Sequence, residues 1–388
     1  MSGPAQAQPP PPRSRSQRRR DVATPLTSRT AINLVRAGRE RVALGPTRDV
    51  VIVEGPVQAI PIVAHRRRPM SSAAGSSLKK RPQRPGDELA ERAQGGTVRM
   101  TEKLIASGDA TICTEAFGEP DDPSVLMIMG AMASMLWWPV ELCEGLARAE
   151  RFVIRYDNRD TGRSTTYEPG RPTYTIDDLV DDAVAVLDGY GVDRAHLVGM
   201  SLGGMIAQLV ALAHRPRVAS VTAVSTSKLD EPDPDLPGAD PEYLEHAAAF
   251  EALDWTDAEA LAELLVRDAR QVAGSRHPFD EPAARALVRR DLRRTTNPPS
   301  LANHGMLTGG VRAGRRSGEI DAPFLVIHGT ADPIFPYAHG VALAEAVPGA
   351  RLLTLEGGGH ELHQRDGDRI LEAIVGQTAP RLQVPSGS

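Results

Sequence analysis

A chain of 388 residues, 41% hydrophobic and 24% charged, has the make-up of a soluble globular enzyme with room for one large domain and extras. A net charge of −5 gives no reason to expect nucleic acid or an anionic membrane as the main partner. Two cysteines, Cys113 and Cys143, lie in apolar stretches outside any Cys/His spacing, which argues against a disulfide framework or a metal site and points to a reducing, cytoplasmic setting. No apolar run reaches the roughly 18 residues of a membrane span, and no apolar stretch follows the N-terminal charges as a secretory signal requires.

Residues 1–98 are dominated by Pro, Ser, Gly and Arg, as in 'PPPPRSRSQRRR' and 'AHRRRPMSSAAGSSLKKRPQRPGDE', and contain no aromatic residue. Such a segment buries too little apolar surface to offset its ordering entropy, so it is predicted to be a disordered tail. Within it, Asp49–Ala64 has the residues for a short strand, but Pro56 and Pro61 demote it. The early positive charge suits a nucleic-acid arm or a transit peptide, yet Pro9–Pro12 forbid an early amphipathic helix. The preferred expectation is a solvated tail, or a gene start placed upstream of a real start at Met100.

Organised sequence begins there with 'MTEKLIASGDATICTEAF', and residues 99–380 are expected to form one domain ahead of a flexible end at 381–388. Apolar runs of strand length alternate with helical patterns, the signature of a mostly parallel, doubly wound α/β sheet. 'TICTEAFG', 'SVLMIMG' (124–130) and 'RFVIRYD' (151–157) read as strands, with a helix near 139–149. 'IDDLVDDAVAVLDGYG' (176–191) reads as an acid-started amphipathic helix with a Gly stop, and 'AHLVGM' (195–200) as the next strand. 'LGGMIAQLVALAHRP' is a helix closed by Pro216, and 'RVASVTAVS' (217–225) is a strand. The alternation then breaks at about 228–316, a Pro-punctuated helical stretch expected to cap the carboxyl ends of the strands. It resumes with 'APFLVIHG' (322–329).

The pentapeptide Gly-Met-Ser-Leu-Gly (199–203) therefore stands between a strand and a helix, the context that a nucleophile on a sharp turn requires. Gly199 and Gly203 remove the side chains that would crowd that turn. A serine hydroxyl needs a neighbouring base, and the base needs an orienting carboxylate. Asp332 follows a strongly apolar strand, and His360 follows the last strand and a triple-glycine loop. An isolated Asp before Pro is usually a turn former and an isolated His after glycines a surface residue, but three strand-end residues in the order Ser, Asp, His outweigh those readings. His363 is the nearest competitor as base, expected to begin the following helix; His328 is expected to pack beside the site. The oxyanion donors are assigned to the backbone N–H groups of Leu202 and Ala131, with Met132 as the alternative to Ala131.

With these residues in view, the chain from 100 to about 380 resembles the α/β-hydrolase fold family, and within it the aclacinomycin methylesterase-like group. The carriers are 'MIMGAMASMLWWP', 'VIRYDNRDTGRSTTY', 'DDAVAVLDGYGVDRAHLVGMSLGGMIAQ', 'HGTADPIFPYAHG' and 'GGGHELH'. The resemblance implies a nucleophile, acid and base at Ser201, Asp332 and His360, no cofactor, and a structural role for Asp157, Arg159 and Gly162. Ser201 in the nucleophile position disfavours epoxide hydrolases and dehalogenases of the fold, which use Asp there.

The resulting expectation is a cofactor-independent serine esterase acting on a small-molecule carboxylic ester, with a methyl ester among the options. The alternatives are a perhydrolase, acyltransferase or peptidase on the same fold, or a non-catalytic ligand-binding protein of the fold. Cap and core residues expected to line the substrate are Met132, Trp137, Trp138, Trp255 and Met306, with Phe250, Phe279 and His304 as further candidates, although most of these also suit the cap's own core. Nothing in the sequence specifies an oligomeric state.

Overall fold

Strands that are covered by helices on both faces need near-continuous apolar sequence, and 'SVLMI', 'FVIRY' and 'FLVIHG' supply it; every residue of these three strands is buried. The computed structural model describes residues 91–92, 98–99, 101–229, 233–309 and 316–379. Most of the expected tail, the short strand expected within Asp49–Ala64 and the C-terminal 381–388 lie outside the described residues.

Among the described residues the sheet has ten strands. In chain order they are β1 (Glu91–Arg92), β2 (Val98–Arg99), β3 (Lys103–Ser107), β4 (Ala110–Phe117) and β5 (Ser124–Ile128). Then come β6 (Phe152–Tyr156), β7 (Ala195–Met200), β8 (Val218–Val224), β9 (Phe324–Gly329) and β10 (Arg351–Leu355). The spatial order is β1-β2-β4-β6-β5-β7-β8-β9-β10, with β3 paired to β4. From β6 across to β10 all pairs are parallel, whereas β4 joins β6 antiparallel. Of the β3–β4 hairpin, the sequence reading marks 'TICTEAFG' as a strand, and the structure adds its partner β3. Its turn is Gly108-Asp109, with Gly108 at φ 56°, the left-handed region that such a tight connection demands.

Helices α1 (Val140–Arg148), α2 (Ile176–Gly189) and α3 (Leu202–Ala213) follow β5, β6 and β7, while α8 (Ala338–Ala346) and α9 (Gly367–Gln377) follow β9 and β10. One apolar core packs α2, α3 and α8 against the sheet through residues such as Leu179, Ile206 and Leu343. A second, on the other face, uses Leu142 and Leu146 of α1 with Ile370 and Ile374 of α9. This is the doubly wound arrangement. A capping box starts α2: the Thr175 side chain and backbone N–H both meet the Asp178 carboxylate, at 2.8 and 2.7 Å.

Between β8 and β9 lies the inserted helical cap: α4 (Pro241–Ala247), α5 (Ala249–Ala252), α6 (Ala258–Val272), α7 (Glu281–Arg294) and a 3-10 segment, Pro298–Met306. Ala262, Val266 and Val288 form a small apolar cluster of its own. Both cysteines are buried, and neither forms a disulfide. Among the described residues, no helix is long and apolar enough to cross a membrane.

Candidate active site

The turn from β7 into α3 holds Ser201 at φ 53° and ψ −120°, a strained conformation for a residue with a side chain. The glycines around it leave no room for anything larger. A Cβ on Gly199 would stand 2.1 Å from the Gly203 carbonyl oxygen, and one on Gly203 would stand 2.0 Å from that of Ile128. The Ser201 N–H donates to the Val224 carbonyl at 2.9 Å, and the Ser201 carbonyl accepts from Thr226 Oγ1 at 2.9 Å, so the end of β8 and the loop after it clamp the turn from both ends. Leu202 is the first residue of α3, where backbone N–H groups have no partner inside the helix.

The loop after β5 abuts this turn: a Cβ on Gly130 would lie 3.8 Å from Ser201 Oγ. Asn158 Nδ2 donates to the Met129 carbonyl at 3.0 Å, and the Met132 N–H donates to His304 Nδ1 at 3.0 Å. Met132, the alternative oxyanion donor, thus has its N–H engaged by the cap. Ala131 is half-buried.

Beyond β9, Asp332 Oδ1 accepts the N–H groups of Ile334 and Phe335, both at 2.9 Å, while Oδ2 lies 2.8 Å from His360 Nδ1. Burial opposes ionisation of this carboxyl. The His360 imidazole, the hydrogen bond to it, His328 and the Phe335 N–H outweigh that and hold Asp332 below the ordinary carboxylate value. An acid-oriented imidazole of this kind has Nδ1–H toward the carboxylate and leaves Nε2 as its basic atom.

His328 is fully buried; its Nε2 lies 2.7 Å from the Phe335 carbonyl and 3.6 Å from Asp332 Oδ2. His363 caps the 3-10 turn Gln364–Asp366 and stacks on His277 with ring centroids 4.2 Å apart. His277, His363 and Asp366 come close enough to share a metal ion. Asp366, however, already has His277 Nε2 at 3.2 Å from Oδ2 and Arg276 Nε at 3.4 Å from Oδ1, a charge cluster joining the cap to the loop after β10. The Cys113 thiol is pushed up to about 12 by burial and by the Asp157 and Glu102 carboxylates, so it holds no thiolate near neutrality.

The three residues of the loop after β6 fix architecture. Asp157 accepts from the Met135 and Arg163 N–H groups and lies 2.7 Å from Arg294 at the end of α7. Arg159 pairs with Asp182 of α2 at 2.8 Å. Gly162, at φ 50°, leaves the space that Asp157 and Arg294 fill.

The expected lining is only partly available. Trp138 is a correction: it is fully buried within the core cluster that includes Phe117, Leu142 and Leu146, and has no face to offer a substrate. Trp137 is half-buried, and its indole N–H donates to Asp291 of α7 at 2.7 Å. Trp255 is half-buried with its ring 6.0 Å from that of Phe250, a buried cap residue. Phe279 lies under the Arg270 guanidinium, and Met306 is half-buried at the end of the 3-10 segment. Sequence reasoning missed Asp291, Asn158 and Asp160 altogether. The available signal was an Asp and an Arg three apart at the end of an amphipathic helix, and an acid-rich 'YDNRD' loop.

A family model described as alpha/beta hydrolase fold matches residues 123–364. The chain is 35% identical over 295 residues to Rhodomycin D methylesterase DauP of Streptomyces sp. (strain C5), covering 72% of this chain and 98% of that protein. It is 34% identical to Rhodomycin D methylesterase DnrP of Streptomyces peucetius, with the same coverage. Among solved structures, the esterase RhEst1 from Rhodococcus sp. ECU1013 superposes with a TM-score of 0.58 at 20% identity, over 72% of this chain and 98% of that one, a likeness of fold. The chain belongs to the α/β-hydrolase fold family. Within that family it is an ester hydrolase.

Proposed function

We propose that the protein cleaves a carboxylic methyl ester on a bulky small molecule through an acyl-serine intermediate. Ser201 Oγ attacks the ester carbonyl carbon while His360 Nε2 takes its proton. Asp332 holds the imidazole in the required tautomer and stabilises the imidazolium. The carbonyl oxygen becomes an oxyanion received by the Leu202 and Ala131 N–H groups. Collapse breaks the carbon–oxygen bond and His360 returns the proton to the departing methanol; water, deprotonated by the same imidazole, then releases the acid and frees Ser201.

The observation that carries this reading is the 2.8 Å contact between His360 Nδ1 and Asp332 Oδ2 in the loops after β10 and β9, together with a serine at positive φ on the turn after β7. The commitment of the Met132 N–H to His304 supports Ala131 as the second oxyanion donor. The methyl-ester and bulky-substrate parts draw on the printed names of the two methylesterase relatives.

The test is hydrolysis of a short-to-medium p-nitrophenyl ester series and of polycyclic aromatic methyl esters by the wild type and by Ser201→Ala, with a fluorophosphonate probe. Turnover and labelling are expected to vanish together in the variant, a loss on the order of 10⁶-fold in kcat. A wild-type enzyme that neither labels nor turns over any ester would sink the proposal.

A further inference from the structure

We propose that His304 is a positioning residue of the oxyanion side of the site, a buried imidazole strut through which the cap fixes the loop carrying Ala131 and Met132. The proposal rests on the serine-hydrolase reading above and deepens it.

The geometry sets the chemistry of the ring. Nε2 lies 2.7 Å from the Arg159 carbonyl oxygen, which can only accept, so Nε2 carries the proton. Nδ1 is then a lone-pair acceptor, as it must be to receive the Met132 N–H at 3.0 Å. Both ring nitrogens are thereby used, and no other tautomer serves both partners. Burial holds the imidazole below its ordinary value against the opposing pull of the Arg159 carbonyl and the Asp160 charge, so the ring is neutral near pH 7.

Each end of the strut is anchored. Met132 sits at φ 63°, a left-handed conformation costly for a residue with a side chain. The bond to His304 is an external hold on that conformation one residue past Ala131. Arg159 is fixed by its ion pair to Asp182. The 3-10 segment that carries His304 is itself pinned by Asn303, whose Nδ2 donates to Asp160 Oδ2 at 2.9 Å and whose Oδ1 accepts from the Gly170 N–H at 2.7 Å. An oxyanion donor must lie within a few tenths of an ångström of its working position, and a misplacement of about 1 Å costs on the order of 100-fold in rate.

The test uses p-nitrophenyl acetate and three variants of the full chain. His304→Leu removes both hydrogen bonds, His304→Asn keeps an acceptor near the Nδ1 position, and His304→Gln keeps a donor toward the Arg159 carbonyl. His304→Leu is expected to lower kcat on the order of 10- to 100-fold while KM moves less than about threefold. His304→Asn is expected to recover most of that loss and to exceed His304→Gln.

A folded His304→Leu with wild-type kcat, or Asn and Gln variants impaired alike, would overturn the proposal. If His304→Leu fails to fold, the order of Asn above Gln decides alone. Ser201→Ala separates the two readings: an inert Ser201→Ala beside a fully active His304→Leu removes only the role of His304, whereas an active Ser201→Ala removes both.

Discussion

The turn that carries Ser201, the proposed nucleophile, and the attachment of the cap are built on different principles. Around Ser201 the sequence requirement is short, a strand, five residues and a helix, with Gly199 and Gly203 required because backbone of Gly203 and of Ile128 passes about 2 Å from where their Cβ atoms would be. The cap is held by backbone bonds such as that of the Arg276 N–H to the Gly357 carbonyl and by single side chains reaching far along the chain. Arg294 meets Asp157 and Glu102, Asp291 meets Trp137, and His304 meets Met132. Each of these contacts joins the cap to segments flanking the sheet, so the cap is a fixed part of the scaffold around the proposed site.

Asp332→Asn leaves the shape intact but offers His360 the wrong partner, and it is expected to lower kcat by about 10⁴-fold with little change in melting temperature. Retention of near-wild-type rates would show that the strand-end geometry does not carry the chemistry.

Arg294→Met tests the long-range half. It leaves the Asp157 carboxylate, fully buried, without the guanidinium 2.7 Å away. A loss of about 3–5 kcal/mol in chemical denaturation is expected. A change below about 1 kcal/mol would mean that the cap does not depend on this pair.

A pH series sharpens the comparison from within the strand that leads to Ser201. His196 on β7 is lowered to about 4, first by burial and then by the charges of Arg151 and Arg194, and it shares a 2.8 Å hydrogen bond with Ser220 Oγ. The unfolded chain binds this proton near pH 6.5, well before the folded one does. The associated stability is therefore fully present above about 6.5 and is lost as pH falls toward 4, an effect on the order of 3 kcal/mol at full extent. His196→Gln should flatten the wild-type decline in that window; an unchanged slope would count against a neutral, buried His196.

Much of this molecule can be read from its sequence because strand and helix patterns are short-range. The strand Ala195–Met200 has the ends its sequence implies, and α1 and α2 differ from theirs by a residue or two. Asp332 and His360 meet because each ends a strand of a parallel sheet, where topology dictates neighbourhood. The edge hairpin was harder, since 'KLIAS' is too short and too mixed to announce a strand before it has a partner. Trp138 and His304 mark the real limit. Whether an aromatic after a strand faces core or cleft, and what a histidine 172 residues away from Met132 does, depends on how the cap docks, which no local window records.

One contact at the other edge of the cap has a practical meaning for recombining such proteins. The His360 N–H donates to the Val272 carbonyl at the end of α6, at 2.8 Å, and a Cβ on Gly274 would stand 2.2 Å from the Gly357 carbonyl oxygen. The seam between the transplantable helices and the host scaffold therefore runs through the segment that bears His360, the proposed general base. A chimera cut at the ends of the helical insertion alone would bring a foreign backbone against residues 357–361, so the crossover points belong beyond that loop, with donor and acceptor strands exchanged as one piece.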